Sequence, residues 1–277
     1  MARQGLPMTK SRNLFLVPYL AWMVLFVVAP IVLIAYYSLF DVDGQFTFDN
    51  YTKFLSPVYL RMTLNSFWYA LLITLFSLLV AYPTAYFLTR TKHKSLWLLL
   101  IIVPSWINLL LKAYAFIGIF GTYGFANKVL ELAGIGTKQI LFTDFSFVFV
   151  SVYIFIPFMI LPIYNALDEL NPSLIYASRD LGASPWLTFR KVVFPLTIEG
   201  VKAGCQAVFI PALSLFMITR LIAGNRVITL GTAIEQHFLV TQDWGMGSAI
   251  AVVLIIAMAV IMILTGSGRR GVANGAQ

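Results

Sequence analysis

Apolar and polar positions separate along this chain on a scale of tens of residues, not with the short periods of a half-buried helix or strand. Six stretches are apolar nearly throughout, near residues 14–40, 65–89, 96–119, 145–167, 198–222 and 247–265. An α-helix needs about 20 apolar residues to cross a bilayer, and a segment apolar on all sides belongs in lipid or deep in a large core. The pattern predicts an all-α polytopic membrane protein with six transmembrane helices. Arg3, Lys10 and Arg12 precede the first run, as they would in a signal peptide. That run is much longer than the roughly 7–15 residues of a signal h-region and lacks a small-x-small cleavage site, so it is expected to remain as the first span.

A polar island at 171–195 interrupts the pattern between spans four and five. Its chemistry predicts two short helices at an angle. Asn171 can cap the first with Pro172 at its first position, and Ser184-Pro185 repeats the start signal. Gly182 lies between them, where a helix end favours a residue that tolerates positive φ, and Pro195 is expected to close the unit. In the second helix Trp186, Phe189 and Val193 form an apolar line with Arg190 and Lys191 off it. One apolar and one basic face suit a docking surface at the membrane better than a lipid-facing segment. Prolines recur inside the spans (Pro18, Pro30, Pro83, Pro104, Pro157, Pro162 and Pro211), and each reads first as ordinary curvature. For Pro157 with Pro162, and for Pro211 near Ser214, the position beside the island suggests bends that shape a path through the membrane.

Composition agrees with the spans. The chain is 60% hydrophobic and 11% charged, against roughly 45–50% and about 25% in a soluble domain. Its net charge of +8 comes from residues scattered over short inter-span loops, so nucleic-acid binding is not expected. The single cysteine, Cys205, excludes an internal disulfide and a cysteine metal cluster. The tails, the loop at Arg90, Lys92 and Lys94, and the island with Lys202 carry twelve Lys and Arg. The alternate loops carry five (Lys53, Arg61, Lys128, Lys138, Arg226) and seven of the eleven acids. The positive-inside rule therefore puts both termini and the island in the cytoplasm.

Reactive chemistry is sparse. There is no Gly-x4-Gly-Lys-Ser/Thr phosphate loop, and the run Gly266-Ser-Gly268-Arg-Arg-Gly271 follows no strand, so it is not a nucleotide fingerprint. His93 and His237 fall on opposite sides of the membrane. No acid lies deep in a span, which argues against a proton relay. Neither a catalytic site nor a cofactor or metal site is expected. Lys112 in span three and Arg220 near the outer end of span five are the charges left within the spans. They read either as snorkelling side chains or as pathway and gate residues. Trp106, Asn108, Lys112 and Tyr114 mix polar and aromatic groups beyond what a lipid-facing helix needs, and with Pro211 and Ser214 they are the candidate translocation residues.

The island resembles the cytoplasmic EAA loop of binding-protein-dependent (type I importer) ABC permeases: Glu-Ala-Ala, three residues, Gly, nine residues, an aliphatic residue, one more, then Leu-Pro. Ala177, Gly182, Val192 and Pro195 match. Tyr176, Ser178 and Phe194 stand where the family usually has Glu, Ala and Leu. From about Arg61 to Leu264 the order of spans and island is also similar to the family's permease domain. Within that family, Arg179–Ser184, Leu110–Ala115 and the Gly224-Asn225…Asp243–Gly247 region look most like the spermidine/putrescine permeases. Sulfate, molybdate, iron and phosphonate importers share the scaffold.

The resemblance implies a permease core at 61–265, between an N-terminal tail, span and outer loop at 1–60 and a cytoplasmic tail at 266–277. It implies a multi-pass subunit of the cell membrane whose partners are a separate ATP-binding subunit, a second permease subunit, an extracytoplasmic substrate-binding protein and membrane lipid. Coupling to the ATPase would fall to Tyr176, Ala177, Ser178, Asp180, Gly182, Ala183, Trp186, Phe189, Arg190 and Pro195. A secondary transporter, which would show inverted halves and ion ligands, and a membrane enzyme are the other readings. A polyamine site should offer carboxylates and aromatic faces, and no span carries the former at depth.

Overall fold

The computed structural model describes residues 9–224 and 226–266. The N-terminal tail through residue 8, Asn225, and the tail from residue 267 with Arg269 and Arg270 lie outside the described residues. Six helical runs are long and apolar enough to cross a membrane: Leu16–Tyr37, Pro57–Leu88, Leu109–Leu132, Asp144–Asp168, Pro185–Leu213 and Trp244–Thr265. The chain divides into two compact units, residues 1–56 with 234–253, and residues 57–233 with 254–277. The first holds α1 (Thr9–Met23), α2 (Ala29–Tyr37) and α3 (Asp49–Phe54). The second holds α4 (Pro57–Leu88), α5 (Lys94–Ile102), α6 (Leu109–Phe120), α7 (Phe125–Leu132), α8 (Asp144–Asp168), α9 (Pro172–Asp180), α10 (Pro185–Thr188) and α11 (Phe194–Leu213). Both α12 (Leu230–Leu239) and α13 (Trp244–Thr265) contribute to each unit.

Two spans contain a π turn at the same offset from a proline. Val24–Val28 precedes Pro30 and Phe189–Val193 precedes Pro195. In each, the residue just before the proline donates its N–H five residues back, Ala29 to Val24 and Phe194 to Phe189. Proline has no N–H to give, and its ring clashes with the carbonyl four residues earlier. Widening the turn by one residue makes room for the ring and lets the helix continue. Pro195 therefore does not close the island. The second short helix is the first part of a helix running from Pro185 to Leu213.

Two further boundaries differ from expectation. Span three is not one helix over 96–119, because the chain leaves helical geometry between α5 and α6. Span five ends at Leu213, and Arg220 lies in a separate π turn at Thr219–Ala223. Pro211, close to the end of α11, cannot supply an N–H to the turn before it, and Ser214 donates from both N and Oγ to the Pro211 carbonyl at 3.3 and 3.2 Å. Pro157 and Pro162, by contrast, sit within an unbroken α8.

The second unit is built on α4, α8 and α11. Gly200 and Gly204, one turn apart on α11, meet α8 at close range. A Cβ on Gly200 would stand 2.7 Å from the Pro162 carbonyl oxygen, and one on Gly204 2.8 Å from Met159 Sδ and 3.1 Å from its carbonyl oxygen. Small residues four apart let membrane helices approach at backbone distance, where dispersion and weak polar contacts add up without a hydrophobic drive. Tyr82 on α4 reaches Thr197 on α11 at 2.9 Å. Thr197 gives its own proton to the Val193 carbonyl at 2.9 Å, so Tyr82 is the donor.

Candidate functional site

The 171–195 region folds as its local chemistry directs. The Asn171 side chain accepts the Ser173 amide at 3.0 Å with Pro172 at the first helical position. At the other end of α9 the Gly182 amide donates to the Arg179 carbonyl at 2.8 Å and the Ala183 amide to the Ser178 carbonyl at 3.0 Å, with Gly182 at φ +82°. This pair of bonds satisfies carbonyls the helix end would leave open, and it requires the left-handed residue. The Ser184 side chain then accepts the Leu187 amide at 3.3 Å and starts the next helix.

The hairpin has an outer and an inner side. Tyr176, Ala177 and Asp180 share the exposed face of α9, and Leu181 at the tip is 89% exposed. Trp186 and Arg190 are exposed on the second arm. Ser178 points inward, donating to the Ile175 carbonyl and lying 2.8 Å from the hydroxyl of buried Thr188, so it ties the two arms together. Ala183 is half-buried, and Pro195 is exposed within the continuous helix. Phe189 is half-buried, with its ring stacked on Trp186 (5.7 Å between centroids) and edge-on to Tyr82 and Tyr86 of α4 at 5.7 and 5.8 Å. Arg90 lies over the Tyr86 ring at 4.1 Å. The aromatic cluster joins the hairpin to the end of α4.

The break in span three forms a second feature. Lys94 Nζ pairs with Asp168 at 2.6 Å, which fixes the start of α5 beside the end of α8. Nine helical residues at 1.5 Å each then carry the chain about 14 Å, too short to cross a ~30 Å hydrocarbon core. There a 3-10 turn at Val103–Trp106 contains Pro104, Ile107 is extended, and Asn108 restarts the helix by accepting the Leu110 amide at 2.8 Å. Trp106 is 76% exposed, and Ile107, Asn108 and Tyr114 are exposed too. Irregular backbone at membrane depth does not face lipid; it is covered by protein or lines water. Lys112 is buried, on the side of α6 away from Tyr114, so it does not run along the outer surface to the headgroups. Pro211 and Ser214 lie at the end of α11, on a different helix from the other four candidate path residues.

The family model described as "Binding-protein-dependent transport system inner membrane component" matches residues 54–267. The chain belongs to this family. It is 37% identical over 259 residues to the spermidine/putrescine transport system permease protein PotB of Escherichia coli (strain K12), covering 90% of this chain and 94% of that protein. It is 36% identical over 266 residues to PotB of Salmonella typhimurium (strain LT2) and 34% over 254 residues to PotB of Haemophilus influenzae. Among solved structures, a bacterial ABC transporter involved in the import of the acidic polysaccharide alginate superimposes with a TM-score of 0.75 over 93% of this chain and 95% of that one. At 16% identity this likeness establishes a shared fold. The chain is thus a multi-pass inner-membrane permease subunit of an ABC importer, a transport component and not an enzyme.

The hairpin residues divide into those that are exposed and those that hold the two arms and the end of α4 together. Leu181, absent from the sequence-level candidates, joins the first group by its exposure; the signal was a leucine immediately before the turn glycine of a polar stretch. Gly200 and Gly204 were also missed, although the Gly-x3-Gly spacing was present in the sequence. Phe189 belongs with the second group, through its ring's contacts to Tyr82 and Tyr86. Phe189→Ala removes ring pairs each worth about 0.5–1.5 kcal/mol and is expected to cut uptake about tenfold at unchanged membrane levels. Ser178→Ala loses one hydrogen bond, about 1 kcal/mol, and leaves uptake within about threefold. Uptake assays normalised to immunoblots check both, and equal effects would remove the distinction.

Proposed function

We propose that this chain is a polyamine permease subunit, one of two related subunits that complete the path for spermidine and putrescine. Identity of 36–37% to PotB proteins over nine-tenths of the chain carries the reading. The loop charges put both termini and the hairpin in the cytoplasm, with 61–265 as the permease core. There a separate ATP-binding subunit receives Tyr176, Ala177, Asp180, Leu181, Trp186 and Arg190, and an extracytoplasmic binding protein delivers substrate on the opposite side. Tyr176 presents a ring and hydroxyl in place of the family carboxylate, so its ATPase is expected to offer a less basic surface at that point.

Continuity from Pro185 to Leu213 supports direct coupling, since a displacement of the hairpin moves span five without an intervening loop. The exposed break at Trp106–Asn108 is where the second permease subunit or the water of the path covers this chain. Uptake of labelled spermidine in cells with and without the gene, challenged by excess putrescine, sulfate and amino acids, tests the cargo. Loss of uptake on deletion, with competition by putrescine alone, is expected. Unchanged uptake in cells with no other polyamine system would assign the importer to another small solute such as sulfate, molybdate, iron or a phosphonate.

A further inference from the structure

Four aromatic residues and one acid help to line a pocket of about 360 Å³ in the first unit: Tyr36, Tyr37, Phe40, Trp244 and Asp41, together with Gln242 and Gly245. Tyr36 and Phe40 lie 4.7 Å apart between ring centroids, and Tyr37 and Trp244 6.1 Å. Asp41 is half-buried, and its Oδ1 accepts the Gln45 amide at 2.7 Å, which orients the carboxylate. Among the described residues no Lys or Arg pairs with it. The other charges in the segments 36–54 and 242–245 are Asp43, Asp49 and Asp243 against Lys53. Burial holds the His237 imidazole below its usual range, with Asp243 opposing, so His237 adds little positive charge at neutral pH.

The wall of this pocket is built to hold its shape. Buried Asn50 donates to the carbonyls of Ser38 and Phe40 at 3.2 and 2.8 Å. A Cβ on Gly245 would stand 2.0 Å from the Phe40 carbonyl oxygen, so only glycine permits that approach. Gln242 is held at φ +53°, a left-handed conformation that non-glycine residues adopt where surrounding structure imposes it. Tyrosine and tryptophan at a span end also suit the headgroup region. That role does not call for an oriented carboxylate in the same pocket.

Ring faces carry negative potential, and a desolvated cation over them is attracted strongly; an ionised carboxylate strengthens the hydrogen bond an ammonium donates. We infer that this pocket binds a primary alkylammonium group. Its place in transport, as a first stop for one end of a polyamine, rests on the cargo reading above. The acids missing from the depth of the spans are thereby supplied at the end of the first one.

Saturation-transfer NMR of putrescine on the assembled importer, in phosphatidylcholine nanodiscs, tests the assignment, with butyrate as the anionic control. Transfer to putrescine methylenes but not to butyrate is expected. Asp41→Asn and Trp244→Leu should each weaken binding about tenfold. Asp43→Asn removes the same charge from the same loop outside the pocket and should change little. Wild-type binding in both pocket variants would overturn the site, as would an equal loss in Asp43→Asn, which would mean a diffuse field. Asp41-dependent putrescine binding alongside spermidine uptake that survives gene deletion would leave the pocket standing and remove the polyamine cargo. Deletion-sensitive uptake with binding indifferent to Asp41 and Trp244 would do the reverse.

Discussion

Gly204→Leu leaves less than about a tenth of the wild-type permease in the membrane, because overpacking costs 1–3 kcal/mol and occasionally more, and here the obstacle includes backbone. The Cβ alone would lie 3.1 Å from the Met159 carbonyl oxygen. Met159 is fully buried, and α8 has few ways to retreat, being packed against α4 on another side. Gly200→Leu meets the Pro162 carbonyl oxygen at 2.7 Å and Ala166 Cβ at 2.5 Å, so it is expected to be at least as severe. Alanine at Gly204 should be milder, since the thioether of Met159 can move aside. Immunoblots of washed membranes check the series. Wild-type amounts of Gly204→Leu would show that α8 and α11 do not depend on this approach.

Gly182→Val is expected to separate ATP hydrolysis from uptake while the protein stays in the membrane. A non-glycine residue in the left-handed region costs roughly 1–2 kcal/mol, more when β-branched. Nothing lies within 4 Å of a Cβ built on Gly182, so the penalty is conformational and local to the hairpin. The strain reorients the tip at Leu181 and unmakes the two bonds that end α9. In proteoliposomes uptake should fall about tenfold, the equivalent of 1.4 kcal/mol, with ATP hydrolysis retained. Asparagine tolerates positive φ, so Gly182→Asn should recover much of the transport. Equal failure of valine and asparagine would mean that side-chain volume against the ATPase decides, and unimpaired uptake by valine would remove the turn from the coupling path.

Much of the hairpin was legible because its signals are local. Asn171-Pro172, Ser184-Pro185 and Gly182 each act within three or four residues, and each does in the structure what its chemistry predicts. The other glycine signal, Gly200-x3-Gly204, has meaning only against a partner helix, and nothing in α11 alone names α8 as that partner. Proline was ambiguous for the same reason. Pro195 and Pro211 look alike as helix breakers, yet the first is absorbed by a π turn and the second stands near a real end.

The sequence by itself determined the number and order of the membrane-spanning helices, the polar hairpin between the fourth and fifth, and the membership that its spacing suggested. These follow from apolar length, caps and turn residues, quantities a chain carries without reference to its neighbours. Tertiary structure decided which hairpin residues face outward, since Ser178 turns to Thr188 while Leu181 is left bare. It decided that Lys112 is covered and that span three opens at Ile107. It also brought residues more than 200 positions apart, Asp41 and Trp244, to one pocket. Burial, close approach and shared cavities depend on what other segments do in space, and one-dimensional patterning does not encode them until the helices have packed.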